Sequence, residues 1–255
     1  MASGMRGPLI ALAALVVLPA ASAQATVRLA AAADLEPVLP TLLKQFQAQT
    51  GIRVVGTYQA SAMLTTQLMN GAPYDLFLAA DMDFPARLVK AGLTDEAEPI
   101  LYAKGTLVLW TRKDAHLPPP NLELLRNPAL TRLAIANPDR APYGRAAVAA
   151  LKSLKLYDAL KGRIAQAENI GQAAQFVQSG NAQAGMIALT AALTPTLSNV
   201  GSYFVIPRNL YPPLEQGAVV LRAGAHRAEA HRLLNFLLSA PVQTQLAARG
   251  LSPVR

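Results

Sequence analysis

The side chains that most often carry chemistry are scarce in this chain, and their spacings are unhelpful. It has 255 residues, no cysteine and three histidines, His116, His226 and His231. Without thiolates there can be no disulfides, iron–sulfur clusters or cysteine metal sites. His226 and His231 are five apart, which misses the four-residue spacing that sets two ligands on one helix face, and HExxH is absent. Asp75, Asp81 and Asp83 gather near a strand end but fit no calcium-loop spacing, and they read better as surface caps. Ser61 stands outside any GxSxG elbow, and neither a GxxxxGK[ST] loop nor a GxGxxG fingerprint occurs. An exported serine hydrolase using Ser61 is the enzyme reading that survives, and it lacks a visible base. The chain therefore reads as a non-enzyme without a cofactor.

What remains is a set of junctions where an apolar run ends in small or neutral polar residues as a helical pattern opens. They are Ala33-Asp34, Ala60-Ser61, Pro142-Tyr143-Gly144 and Asn169-Ile170. A helix start leaves N–H groups without partners, and the aligned peptide dipoles make that end positive. Several such starts aimed at one point can hold an oxyanion with no Lys or Arg. Serine is also a favoured N-cap, so capping is the plain alternative for Ser61.

The elements that must position these junctions alternate as in an α/β protein. Apolar runs at 27–33, 52–58, 76–80, 101–111, 133–136, 164–167, 184–189, 203–207 and 216–221 read as strands. Helical spacing covers 35–49, 62–69, 84–91, 145–154, 157–161, 171–179, 227–238 and 242–249. Pro37 and Pro40 predict an irregular start to the first helix, because Pro40 lacks an N–H that a helix interior needs. Lys104-Gly105 would bend the long run 101–111 where the chain changes lobes, and 137–144 reads as a loop.

Composition narrows the class. With 52% hydrophobic and 15% charged residues the chain is globular. Its formal charge of +8 is spread without a basic stripe, which argues against nucleic acid. Arg6, the apolar run 9–18 and Ala21-Ser22-Ala23 form a signal-peptide pattern too short to span a bilayer. Residues 1–23 read as a removed leader with Gln24 first in the mature chain, which would make it exported and soluble.

Six ordered blocks then carry a resemblance. AAADL (31–35), YQASAMLTTQL (58–68), GAPYDLFLAAD (71–81), NPDRAPYGRAA (137–147), ENIGQAAQFVQSGNAQAGMIAL (168–189) and YPPLEQGAVV (211–220) resemble the periplasmic molybdate-binding proteins of ABC importers. The resemblance implies a two-lobed type II periplasmic binding protein fold, each lobe a mixed sheet flanked by helices, with the ligand cleft between. Residues 24–103 and 207–255 would form lobe 1 and residues 104–206 lobe 2, with hinges near 103–106 and 205–208. Molybdate or tungstate would be captured there and delivered to a membrane permease by a monomer in the periplasm. Sulfate or phosphate is the alternative cargo. A ferric-iron site would favour a tyrosine cluster, and Tyr143 has no neighbouring tyrosine in sequence; a regulator's effector domain would not carry a leader.

The resemblance also assigns residues. Ser61 would donate through its hydroxyl and N–H, Ile170 through its N–H, and Tyr143 would face the ligand. No side chain would coordinate the metal atom. Ala188 stands where one branch of the family has a tyrosine, so a hydroxyl is lost. Ala33 keeps the first junction small. Asp34 stands where serine or asparagine is usual. An ionised carboxylate 4 Å from an anionic charge is repelled by roughly 4 kcal/mol at an effective dielectric near 20. The expectation is that Asp34 turns away to cap its helix, the alternative being that it is protonated in the closed cleft.

Overall fold

A computed structural model describes Met1 and residues 25–254. The leader assigned to residues 1–23, and Gln24 after it, lie outside these apart from Met1. The strands are β1 (Thr26–Ala32), β2 (Arg53–Gln59), β3 (Leu76–Leu78), β4 (Ile100–Lys104), β5 (Leu107–Arg112), β6 (Leu133–Ala136), β7 (Ile164–Ala167), β8 (Ala184–Ala188), β9 (Gly201–Val205) and β10 (Glu215–Val220). The helices are α1 (Leu39–Thr50), α2 (Ser61–Met69), α3 (Asp83–Lys90), α4 (Pro142–Ser153), α5 (Tyr157–Leu160), α6 (Ile170–Gln178), α7 (Leu189–Ala192), α8 (Pro195–Ser198), α9 (Arg227–Leu238) and α10 (Ala240–Ala248).

Two sheets of five strands result, ordered β2-β1-β3-β10-β4 and β7-β6-β8-β5-β9. Each follows one plan. β1 is parallel to β2 and β3, and β6 is parallel to β7 and β8. An antiparallel strand then sits second from one edge: β10 between β3 and β4, and β5 between β8 and β9. Those two strands are the ones that enter from the other sheet. The run 101–111 is thus not one bent strand but β4 and β5 in different sheets, parted by Gly105 and Thr106. Gly105 is dictated by a close approach, because a Cβ there would collide with the Tyr143 hydroxyl and meet Gln216 Nε2 at 3.2 Å.

Two helix starts differ from expectation. Residues 33–35 form a 3-10 turn and α1 begins only at Leu39, with Pro40 tolerated because it falls at the very start. Helix α4 begins at Pro142 rather than 145, since proline's fixed φ and missing N–H suit a first helical position. That puts Tyr143 in a first turn instead of a loop. The short helices α7 and α8 had no legible signal.

The cores follow the sheets. β1, β3 and β10 pack under α1, α9 and α10 through Leu29, Leu42, Leu76, Leu233 and Val242, and a smaller cluster with Leu64, Phe77 and Leu88 covers the opposite face. The second sheet buries Trp110, Leu133, Ile187 and the alanine-rich faces of α4 and α6. Each fully buried leucine is worth roughly 1.5–3 kcal/mol over an exposed one. Both sheets are therefore rigid platforms for whatever their strand ends carry. Among the described residues no helix is long and apolar enough to cross a membrane.

Candidate functional site

The carboxyl ends of the parallel strands meet between the two sheets. A small pocket there is lined by Ala32, Ala33 and Asp34 after β1, by Gln59, Ala60 and Ser61 after β2, and by Ala80. The second lobe supplies Ala141, Pro142 and Tyr143, and Asn169 with Ile170 after β7. Five of the six candidate residues, Ala33, Asp34, Ser61, Tyr143 and Ile170, are thus brought together. Ala188 is not among them: fully buried at the end of β8, it lines an adjoining pocket with Ala33, Asp34 and Ile170. Among the described residues, no Lys, Arg or His lines either space.

Three helix starts supply the donors. Ser61 is the first residue of α2 and does not cap it, because extended Ala60 holds the cap position without a side-chain bond. The Ser61 Oγ instead accepts the Ala80 N–H at 3.1 Å, which fixes the rotamer and leaves its own proton free to donate. Ile170 opens α6, where Asn169 is the N-cap and its Oδ1 accepts the Gln172 N–H at 2.9 Å. That cap leaves the Ile170 amide at the exposed positive end of the helix. Tyr143 lies one residue into α4, its ring wholly buried and its hydroxyl without a hydrogen-bond partner.

Asp34 does not behave as expected. It lies within the 3-10 turn and makes no capping bond; the carboxylate is held toward β10 instead. Its Oδ2 accepts from Gln216 Nε2 at 2.5 Å, and Tyr102 donates to Gln216 Oε1 at 2.8 Å. Its Oδ1 has no hydrogen-bond partner. The Tyr143 hydroxyl is close enough to act on this carboxylate but completes no bond with it. Burial raises the Asp34 pKa from 3.8 to about 6, against the opposing pull of Gln216, Tyr143 and its own N–H. Burial likewise pushes Tyr143 and Tyr102 well above the usual phenol value, with the Asp34 charge adding to both. The physical reason for the departure is reach: a buried amide on β10 outcompetes a local cap.

Three contacts tie the lobes together around the pocket. Thr190 Oγ1 donates to the Asp34 carbonyl at 2.7 Å, the Ala62 N–H donates to the Arg140 carbonyl at 3.1 Å, and Arg145 pairs with Asp81. Asp81 is therefore no simple cap, although its Oδ1 does accept the Phe84 N–H at 3.0 Å. Asp75 is buried, with its two oxygens taken by the Arg28 and His226 amides. His231 sits outside the cleft against Asp95 and Glu96, and His116 is exposed. Gln216 and Thr190 escaped sequence reading, and Gly105 was read as a bend between lobes but not as a close neighbour of Tyr143 and Gln216. A lone amide beside Gly217 in an otherwise apolar strand was the one signal that could have marked Gln216.

The residues 27–252 match the family model described as bacterial extracellular solute-binding protein. The chain is 36% identical over 234 residues to the molybdate-binding protein ModA of Azotobacter vinelandii, covering 92% of each. It is 34% identical over 220 residues to the ModA of Rhodobacter capsulatus, covering 86% of this chain and 84% of that one. The solved structure of the Azotobacter vinelandii periplasmic molybdate-binding protein superposes with a TM-score of 0.84 at 31% identity, over 90% of this chain and 100% of that one.

Proposed function

The chain belongs to the bacterial extracellular solute-binding proteins, and from that premise we propose that it captures molybdate or tungstate in the cleft between its sheets and delivers it to an ABC permease. One observation carries this reading: the α2, α4 and α6 starts converge on a pocket whose lining, among the described residues, includes no cationic side chain. Ser61 hydroxyl and amide, the Ile170 amide and the Tyr143 hydroxyl are the donors, and each is held by rigid structure. Such fixed neutral dipoles need no rearrangement when the anion arrives. Ala33 and Ala188 keep the first junction and the β8 end small. Relatives named for molybdate binding support the cargo.

The same reading assigns residues 24–103 and 207–255 to one lobe and 104–206 to the other. The two links between the sheets, near residues 103–106 and 205–208, act as hinges. Ser61 has no histidine beside it in the pocket, which speaks against a hydrolase. Export through a cleaved leader, a periplasmic location and a monomeric state belong to this proposal. N-terminal mapping by mass spectrometry and light scattering check them. Thermal-shift titration with molybdate, tungstate, sulfate and phosphate tests the cargo. Stabilisation by the first two is the expected outcome, and a shift with phosphate alone would refute the assignment.

A further inference from the structure

The pocket places one acceptor among its donors. The Oδ1 atom of Asp34 and the Tyr143 hydroxyl are both buried, and neither has a hydrogen-bond partner among the described residues. Every element packed around Asp34 presents an uncharged group. Gln216 comes from β10, with Tyr102 of β4 behind it; Tyr143 comes from α4, with Tyr211 acting on it in turn. Ser61 comes from α2, Asn169 and Ile170 from the α6 start, and Thr190 of α7 binds the Asp34 carbonyl. Glu36, on the exposed side of the same turn, is the other charged residue among the linings of the two spaces, and it too is acidic. An anion brought to these helix starts therefore meets an acceptor with no cation to offset it.

Two acceptors that share a dry site are reconciled by a proton between them. We propose that anion binding here is proton-linked through Asp34, which makes Asp34 a specificity-determining residue of the site. One proton enters from solvent with each anion and is held on Oδ1, from which it donates to a ligand oxygen. No bond of the anion is made or broken, and the proton returns to solvent when the anion leaves. This rests on the reading of the cleft as an oxyanion site. Burial already raises Asp34 to about 6 in the unliganded protein, and a neighbouring anion adds to that shift in the same direction. Gln216 can still donate to Oδ2 in the protonated form, so the network survives the change.

Calorimetry of the full mature protein with sodium molybdate, in buffers of differing protonation enthalpy from about pH 6 to about pH 8.5, measures the protons taken up. The wild type is expected to take up close to one proton per anion at the alkaline end. Its affinity there falls about tenfold per pH unit. Asp34→Asn abolishes both the uptake and the slope, and binds more tightly than the wild type at the alkaline end. Binding by the wild type without proton uptake overturns the inference while leaving the oxyanion site intact. No binding of any oxyanion overturns the site reading itself, and this inference with it. A slope that persists in Asp34→Asn also overturns it. Should that variant fail to fold, the wild-type proton count decides alone.

Discussion

At the scale of single residues, Ser61 and Asp34 play opposite parts. Ser61 Oγ is oriented by the Ala80 amide, and removing it loses a donor to a charged ligand, worth roughly 1.5–3 kcal/mol. Ser61→Ala should therefore weaken molybdate binding about 10- to 150-fold in calorimetry. It should also lower the melting temperature, because the buried Ala80 N–H loses its acceptor. Asp34 bears on stability as well. Its pKa is raised in the folded protein, from 3.8 to about 6, so its contribution is fully present below the lower value and is lost as pH rises through the upper one. The unliganded protein should lose about 3 kcal/mol across that window relative to Asp34→Asn. Paired melting curves against pH check this, and parallel curves would contradict it. The sequence placed Asp34 at the junction but could not orient it, because its partner Gln216 is 182 residues away. Ser61 and Ile170 were legible since each follows closely on a strand, where the helix start itself is the signal, whereas Tyr143 lies beyond the loop after β6 and was assigned through the resemblance.

At the scale of elements, the link between β4 and β5 does two jobs. It joins the sheets, and at Gly105 it lies flat against Tyr143 and Gln216. Gly105→Ala should therefore disturb the pocket from behind, with an overpacking loss of about 1–3 kcal/mol in stability and a parallel drop in affinity. Because the nearest atom to the new methyl is the Tyr143 hydroxyl, Gly105→Ala combined with Tyr143→Phe should recover part of the lost stability. Denaturant unfolding of the two single variants and the double variant measures the coupling. The apolar run 101–111 looked like one strand because both halves are buried and alternate poorly. Periodicity does not report which sheet a residue joins. The helix starts at Leu39 and Pro142 shifted for a related reason: proline forbids one hydrogen bond but leaves open which side of it the helix begins.

At the scale of the whole molecule, three polar contacts beside the pocket tie the lobes. The Arg145–Asp81 pair leaves Arg145 with 40% of its side chain exposed, so it contributes only about 0.2–1 kcal/mol. The Thr190 bond to the Asp34 carbonyl is buried and worth about 1 kcal/mol. Thr190→Val should favour the open form and weaken binding several-fold, while Arg145→Ala should change affinity less. Small-angle scattering of the unliganded proteins should show a larger radius of gyration for Thr190→Val, and equal radii would remove the latch from the account. The alternation of strands and helices made the α/β class readable from sequence and the resemblance implied its two lobes, whereas the strength of these latches depends on pairings that no local pattern encodes.

The way the two sheets exchange strands also fixes an order of assembly. The sheet of β5 to β9 is complete in one continuous run ending at Val205. The other sheet is not: β4 joins it only through β10, which ends at Val220, more than a hundred residues later in the chain. A chain emerging from its N-terminus can finish the second lobe while the first still lacks its fourth strand. Late closure of this kind raises the share of distant pairings and slows folding. A polypeptide that must be threaded through a narrow pore before it folds would gain by keeping its first-made half unfinished until its last quarter arrives.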